Sequence, residues 1–249
     1  MRASLPVDRA AASMHNAAMV NRLSQRAPLF LVVVVLGLFP SAAAAAEGDG
    51  GSKDRDESSL ADKPIGAGSC AKRVRELKEL LADLSYLPRA NGSCMKEEEG
   101  FALTAFQKQE GIKVDGKADR KTLKRLVKAK TPDPGRGGDS DRLIVSLKRQ
   151  VLYIVKGDEV TRTIAIASGR AGFSTPRGRY KIYRKERNSY SNEFNVNLPW
   201  ASYFVRGIAF HSSNDVARRP ASHGCIRVPP PFAREVYRDA PLGRQVVVF

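Results

Sequence analysis

The second half of the chain opens with three β-branched runs: Leu143-Ile-Val-Ser-Leu147, Val151-Leu-Tyr-Ile-Val155 and Val160-Thr-Arg-Thr-Ile-Ala-Ile-Ala167. Short polar turns separate the runs, a pattern that is typical of successive β-hairpins. Further strands are predicted over residues 180–183, 207–210 and 245–249. One helix is predicted from Pro230 or Pro231 through Tyr237, because proline is tolerated in a first helical turn. Residues 142–249 are therefore predicted to form a mainly β domain.

The region before these strands, residues 70–130, has the periodicity of helices. A first helix places its apolar residues at spacings of three and four, a second spans residues 97–109 and ends at Gly111, and a third follows Asp119 as N-cap. The predicted fold class is α+β, a small three-helix bundle followed by a mainly β domain. The apolar helix residues are Val74, Leu77, Leu80, Leu81 and Leu84; Phe101, Ala105 and Phe106; and Leu123, Leu126 and Val127 on the buried face of the third helix.

Two segments have the composition of linkers. Residues 47–69 are rich in Gly, Ser, Asp and Lys, which predicts a flexible tether. Residues 131–141 contain Pro and Gly at positions that interrupt both helix and strand, which predicts a linker between the two domains.

The N-terminal segment, residues 1–46, has the layout of an export signal. Its apolar run, Leu29–Phe39, has 11 residues, fewer than the roughly 18 that a membrane-spanning helix needs. Arg22 and Arg26 precede the run and small residues follow it, which predicts cleavage near Ala46. The long stretch before the run leaves an uncleaved anchor as the alternative. We therefore expect an exported protein in the periplasm or cell wall.

The positive charge of the chain limits the classes of partner that it is expected to bind. The net charge is +16, and residues 131–249 hold 20 basic and 10 acidic side chains. Basic surfaces often bind nucleic acid, but an exported protein more readily meets anionic envelope polymers or lipid headgroups. We expect no nucleic-acid partner, and a merely soluble surface is the alternative explanation of the charge.

The reactive side chains are concentrated near the C-terminus. His211 and His223 are the two histidines after residue 46, and both lie within 14 residues of Cys225. A cysteine needs a base or a positive neighbour to become a thiolate at neutral pH, and histidine suits that task. A structural zinc site is disfavoured because two His and one Cys fall short of four ligands. An inert buried cysteine would not need these acid–base partners.

The turn Ser222-His-Gly-Cys-Ile-Arg227 suggests how an acyl group would bind. Gly224 allows close backbone approach, and the amides around Gly224 and Cys225 could donate to a developing oxyanion. Arg227 lies two residues after Cys225, so on a strand both side chains would face the same side. Its guanidinium could then grip a substrate carboxylate.

These motifs resemble those of the L,D-transpeptidases with a YkuD-type catalytic domain. The resemblance implies that Cys225 is the nucleophile, that His211 is the general base and acid, and that Ser212 orients the imidazole. His223 and Gly224 would shape the oxyanion region, and Arg227 and Ser222 would bind substrate, with no cofactor or metal. The matching residues are His211-Ser212, Ser222-His-Gly-Cys-Ile-Arg227 and Ser174-Thr-Pro-Arg-Gly-Arg-Tyr180.

The resemblance implies an enzyme that cross-links peptidoglycan. It would join the third-position residues of two stem peptides through a Cys225 thioester. An L,D-carboxypeptidase using the same site and a non-catalytic peptidoglycan-binding protein are the alternatives. Papain-like wall hydrolases place Cys before His, whereas here His211 precedes Cys225.

The helical region resembles the three-helix peptidoglycan-binding domain. The expected partners are therefore peptidoglycan stem peptides and glycan, with no stable partner protein. Asn91-Gly-Ser-Cys-Met95 replaces the usual Asp-Gly loop, so a helical spacer that binds nothing is the alternative. The matching segments are residues 74–88, Ala105-Phe-Gln-Lys108 and Gly111-Ile-Lys-Val-Asp-Gly116 with Thr122-Leu123.

The two remaining cysteines, Cys70 and Cys94, are predicted to form a disulfide. Export would place them in an oxidising compartment, and they are an even pair once Cys225 is set aside as the catalytic thiol.

Overall fold

The computed structural model describes residues 64–135 and 140–249. Its order of elements confirms the predicted fold class, since three helices precede a mainly β domain. The predicted signal or anchor segment lies outside the described residues, as do most of the predicted tether and residues 136–139 of the predicted linker. In the described part of the chain, no helix is long and apolar enough to cross a membrane. The bundle helices are α1 (Lys72–Asp83), α2 (Glu97–Glu110) and α3 (Arg120–Val127).

The bundle is closed at its ends by the features that the sequence indicates. The Asp119 side chain accepts a hydrogen bond from the amide of Thr122 at 2.7 Å, which confirms it as the N-cap of α3. Gly111 ends α2 with φ +64°, a left-handed conformation that favours glycine. Cys70 and Cys94 form the predicted disulfide. It ties the segment that leads into α1 to the segment that leads into α2.

Two expectations for the bundle are wrong. Val127 is 68% exposed rather than buried. The buried side of α3 is defined by Thr122 and Leu126, and helical geometry places Val127 about 140° around the axis from Thr122. Residues 64–69 are not part of a flexible tether, because Ile65 is buried and exchanges backbone hydrogen bonds with Ala118 at 3.0 and 2.8 Å.

The β domain contains a five-stranded and a four-stranded sheet. The five-stranded sheet has the order β3-β2-β1-β9-β4, and the other has the order β5-β6-β7-β8. The pairs β1·β9 and β7·β8 are parallel and the others are antiparallel. The elements are β1 (Arg142–Ser146), β2 (Val151–Lys156), β3 (Glu159–Ala165), β4 (Gly178–Lys181), β5 (Arg184–Ser191), β6 (Val196–Val205), β7 (Ile208–Ser212), β8 (Ile226–Val228), α4 (Pro230–Asp239) and β9 (Gln245–Val248).

The long hairpin β5–β6 was not among the predicted strands. Most β5 side chains are at least partly exposed and many are charged or polar, so the strand lacks the apolar alternation of a half-buried strand. The apolar residues of β6 are interrupted by Pro199 and by Trp200, which has φ +60°. The tip of this hairpin contacts His223, two residues before Cys225.

The helical bundle packs directly on the β domain. The amide of Thr163 on β3 donates to the carbonyl of Ser85 at 2.7 Å, and the guanidinium of Arg162 donates to the carbonyl of Leu87 at 2.7 Å. On β2, the hydroxyl of Tyr153 donates to the side chain of Gln109 at 2.6 Å. These bonds join β2 and β3 to the segment after α1 and to the end of α2.

Candidate active site

Parallel pairing of β7 with β8 brings the two halves of the predicted motif together. His211 is the register partner of Arg227, two residues after Cys225. Because strand side chains alternate between faces, Cys225 and Arg227 are expected on the same face as His211. All three side chains line one cavity of about 410 Å³.

The imidazole of His211 is oriented by the residue that follows it. Nδ1 lies 2.8 Å from the backbone carbonyl oxygen of Ser212. A carbonyl only accepts, so Nδ1 carries the proton and, in the neutral ring, Nε2 is the free acceptor. This tautomer is the one that a general base needs. Ser212 therefore acts through its backbone.

Burial favours the neutral forms of both reactive groups. It lowers the pKa of His211, an effect that the hydrogen bond to Ser212 opposes and the charge of Arg227 reinforces. It raises the pKa of the Cys225 thiol, against the opposing effects of the Ala209 backbone and the Arg227 charge. Both shifts favour a neutral thiol and a neutral imidazole over a preformed thiolate–imidazolium ion pair.

The turn before Cys225 is held by Ser222. Its hydroxyl donates to the carbonyl of Cys225 at 2.5 Å and accepts from the amide of Gly224 at 3.1 Å. The side chain is buried and its hydroxyl is bonded within the turn, so it fixes the backbone around Cys225 at the wall of the same cavity. The Gly224 amide is also occupied, and the amides of His223 and Cys225 are then the candidate oxyanion donors of this turn.

Comparison with known proteins agrees with this geometry. Residues 140–248 match the family model described as the YkuD L,D-transpeptidase catalytic domain, and residues 71–126 match one for a candidate peptidoglycan binding domain. Residues 140–248 are a YkuD-type L,D-transpeptidase catalytic domain.

Solved structures of L,D-transpeptidases are similar to the chain. The one from Xylanimonas cellulosilytica DSM 15894 (its residues 123-326) is 27% identical, with a TM-score of 0.69 over 75% of this chain and 98% of that one. The one from Stackebrandtia nassauensis is 25% identical, with a TM-score of 0.49 over 75% of this chain and 97% of that one. No curated protein sequence gives a significant match.

A second segment of the L,D-transpeptidase domain, residues 166–177, supports the catalytic turn. The buried hydroxyl of Thr175 donates to the carbonyl of Gly224 at 2.7 Å and accepts from the amide of Gly169 at 3.0 Å. A side chain at Gly169 would meet the carbonyl oxygen of Phe173 at 1.9 Å, so only glycine fits. No sequence pattern marked Gly169, and Thr175 was marked only as part of the family-like segment Ser174–Tyr180.

Arg227 lines the cavity but already has an acidic partner. Its guanidinium forms an ion pair with Asp215, whose side chain is 70% exposed. Asp215 lies in the loop 213–221, between His211 and the catalytic turn, where no sequence motif marked it.

His223 lies at the mouth of the cavity in a stack of aromatic rings. Its ring stacks on Phe194 at 4.5 Å and meets the edge of Phe173 at 4.9 Å, and its Nε2 lies 2.6 Å from a guanidinium nitrogen of Arg170. Phe194 belongs to the tip of the β5–β6 hairpin. The side chain of His223 therefore joins the hairpin tip to the catalytic turn.

A second cavity of the L,D-transpeptidase domain reaches the same histidine. It measures about 350 Å³ and is lined by residues that include Pro199, His211, Ser213 and Arg227. His211 and Arg227 thus lie between two cavities, and Cys225 lines the larger one. Among the described residues, no cluster of three or more His, Cys, Asp and Glu side chains could hold a metal ion.

Proposed function

We propose that the protein is a peptidoglycan L,D-transpeptidase that joins third-position residues of two stem peptides. The observation that carries the proposal is the position of His211 between two cavities, with Cys225 lining one of them. A transpeptidase handles two substrates in turn at one acyl group. The larger cavity would hold the donor stem, and the smaller one would admit the acceptor amine.

In the first half-reaction, Cys225 forms a thioester with the donor. Nε2 of His211 takes the thiol proton as sulfur attacks the carbonyl between the third residue and the terminal D-Ala. Because both groups begin neutral, we expect proton transfer to accompany attack. The imidazolium then gives this proton to the departing D-Ala amine, and the amides of His223 and Cys225 are placed to stabilise the oxyanion.

In the second half-reaction, the side-chain amine of another stem attacks the thioester. His211 accepts a proton from this amine and returns it to the Cys225 sulfur, which leaves an amide cross-link. Water in place of the amine would release a tripeptide, which is the carboxypeptidase outcome. The second cavity beside His211 favours an enzyme with an acceptor site, and therefore transpeptidation.

The rest of the chain fits action at the cell wall. We propose that residues 70–130 hold peptidoglycan and that residues 142–249 carry out catalysis, with residues 1–46 directing export to the periplasm or wall. The match of residues 71–126 to a candidate peptidoglycan binding domain supports the first part. The predicted layout of the N-terminal segment supports the last.

The proposal is tested by incubating the protein with a carbapenem and measuring its intact mass. We expect one covalent adduct on the wild type and none on Cys225→Ala or His211→Ala, each with an unchanged circular dichroism spectrum. Because Cys225 and His211 would act as a unit, the effects of their substitutions on the acylation rate are not additive, and the double variant should lose hardly more activity than either single variant. A wild type that never forms the adduct would favour a wall-binding protein instead.

A second assay separates the two enzymatic outcomes. The protein is given a stem tetrapeptide, and products are followed by mass spectrometry. A cross-linked dimer with loss of D-Ala supports transpeptidation. Tripeptide without dimer, at saturating acceptor, would identify a carboxypeptidase.

A further inference from the structure

A lysine of the helical bundle is buried against the backbone of the catalytic domain. Lys108 lies on α2 and is only 5% exposed. Its ammonium group donates to the carbonyl of Ile166 at 2.7 Å and to the carbonyl of Ala217 at 2.9 Å. No carboxylate among the described residues forms an ion pair with it, and burial lowers its pKa to about 8.

The two acceptors belong to the segments that flank the catalytic turn. Ile166 begins the segment 166–177, whose Ala167 exchanges backbone hydrogen bonds with Arg227 at 3.1 and 2.9 Å. Ala217 lies in the loop 213–221, which connects His211 to Ser222 and carries Asp215, the partner of Arg227. One ammonium group therefore bridges both supports of the turn.

Lys108 forms a hydrogen bond to the middle of the loop 213–221, where few other hydrogen bonds are made. The amide of Ser213 donates to the carbonyl of Val228 at one end, and the amide of Ala221 donates to the carbonyl of Ser168 at the other. In the described part of the chain, the bond from Lys108 to Ala217 is the one hydrogen bond made to residues 216–220. Without it, five consecutive residues between the two catalytic side chains would be free to move.

We propose that Lys108 is a positioning residue of the active site, contributed by the helical domain. It fixes the loop 213–221 and, through Asp215, the direction of the Arg227 guanidinium in the cavity. The helical domain then completes the geometry of the donor site, besides any contact it makes with the wall. This role rests on the proposed function, because Arg227 is taken to bind the donor stem.

The melting temperature of a Lys108 variant distinguishes this positioning role from a purely structural one, because the charge of Lys108 is buried without an ion-pair partner among the described residues. Lys108→Met removes the cost of keeping a charge away from water, but it leaves the carbonyls of Ile166 and Ala217 without a donor, and the two effects oppose each other. Lys108→Met should therefore change the melting temperature little. A residue that only stabilised the fold would lower melting temperature and activity together.

The test combines hydrogen exchange with kinetics on the full chain. Lys108→Met should increase amide exchange at Ser213, Asp215 and Ala221, the loop amides that donate hydrogen bonds, by about tenfold or more, the size expected for a lost charge-assisted hydrogen bond. It should raise KM for a stem tetrapeptide by about tenfold with less than about a twofold change in kcat, because uniform donor binding is lost. Lys128→Met, at an exposed lysine of the same domain, should match the wild type in all three measurements.

Unchanged exchange in the loop, or a fall in kcat with KM unchanged, would overturn the proposal. If Lys108→Met does not fold, the wild type decides by ¹⁵N NMR. The Lys108 ammonium should give a slowly exchanging proton signal, and a rapidly exchanging one would contradict the bridge. Exchange and NMR need no turnover, whereas a failed carbapenem adduct on the wild type would refute only the proposed function.

Discussion

At the scale of single residues, burial moves the two reactive side chains toward neutrality. The His211 pKa falls because a buried imidazolium loses its hydration, and the Cys225 pKa rises because a buried thiolate does too. Both pKa shifts suit a mechanism in which His211 acts as a general base on the Cys225 thiol. The base is unprotonated over a wider pH range, and the thiol is protected from other electrophiles until a substrate brings the groups into reaction.

The first prediction concerns the pH dependence of acylation. His211 acts as a base only when neutral, so the rate should fall as pH drops through its lowered pKa, below the ordinary value of 6.5. Between that pH and neutrality the rate should be flat. Stopped-flow acylation by a carbapenem from pH 4.5 to 8 measures this. A midpoint above 6.5 would contradict the neutral imidazole.

A second prediction separates binding from structure at Arg227. Arg227→Lys removes the planar fork that suits a carboxylate, so acylation by a stem tetrapeptide should weaken by about 1–3 kcal/mol. The melting temperature should change little. Arg238→Lys, at an exposed arginine of α4 outside both cavities, is the matched control and should match the wild type. Normal kinetics with a large fall in melting temperature would make Arg227 structural.

At the scale of elements, the active site depends on loops that strands hold in place. β7 and β8 set the register of His211 against Arg227, and the segment 166–177 holds the turn from the other side through Thr175. The position of Cys225 is thus determined by hydrogen bonds to the backbone of its turn. The hydroxyl groups of Ser222 and Thr175 each take part in two hydrogen bonds of this network.

The third prediction tests this network at Thr175. Thr175→Val keeps the shape of the side chain but leaves the amide of Gly169 and the carbonyl of Gly224 without their partner, a cost of about 1–3 kcal/mol. Acylation should slow, and Thr175→Ser, which keeps the hydroxyl, should retain most of the rate. Adduct formation followed by mass spectrometry compares the two variants. Equal rates would show that the hydroxyl is dispensable.

Apolar periodicity predicted the elements that bury one face and missed those that do not. Strand β2 is an apolar run that is almost entirely buried, and α1 places its buried residues at helical spacing, so both were predicted within a few residues. Strand β5 has one buried side chain, and Val127 lies at the end of α3 on the side that faces solvent. The Cys225 motif indicated the candidate site, but Asp215 and Lys108 reach it through long-range contacts that local patterns do not show.

At the scale of the whole molecule, the disulfide supports a bundle with a small core. The fourth prediction is that reduction of Cys70–Cys94, which spans 24 residues, destabilises the protein by about 3 kcal/mol in the chain-entropy model. Thermal unfolding with and without reductant measures the difference.

Thiol counting provides the control for this prediction. The denatured, unreduced protein should contain one titratable thiol, and Cys225→Ala should contain none. Three thiols in the wild type, or a melting temperature that reductant does not change, would contradict the contribution of the bridge.

The central position of β9 in the five-stranded sheet has a consequence for the folding of the domain during synthesis. Residues 245–248 lie between β1 and β4, so the five-stranded sheet lacks an inner strand until they join it. During synthesis from the N-terminus, β1 can pair with β2 at once, but its other edge stays open for about a hundred residues until β9 follows. The five-stranded sheet therefore cannot close before residues 245–248 have been synthesised.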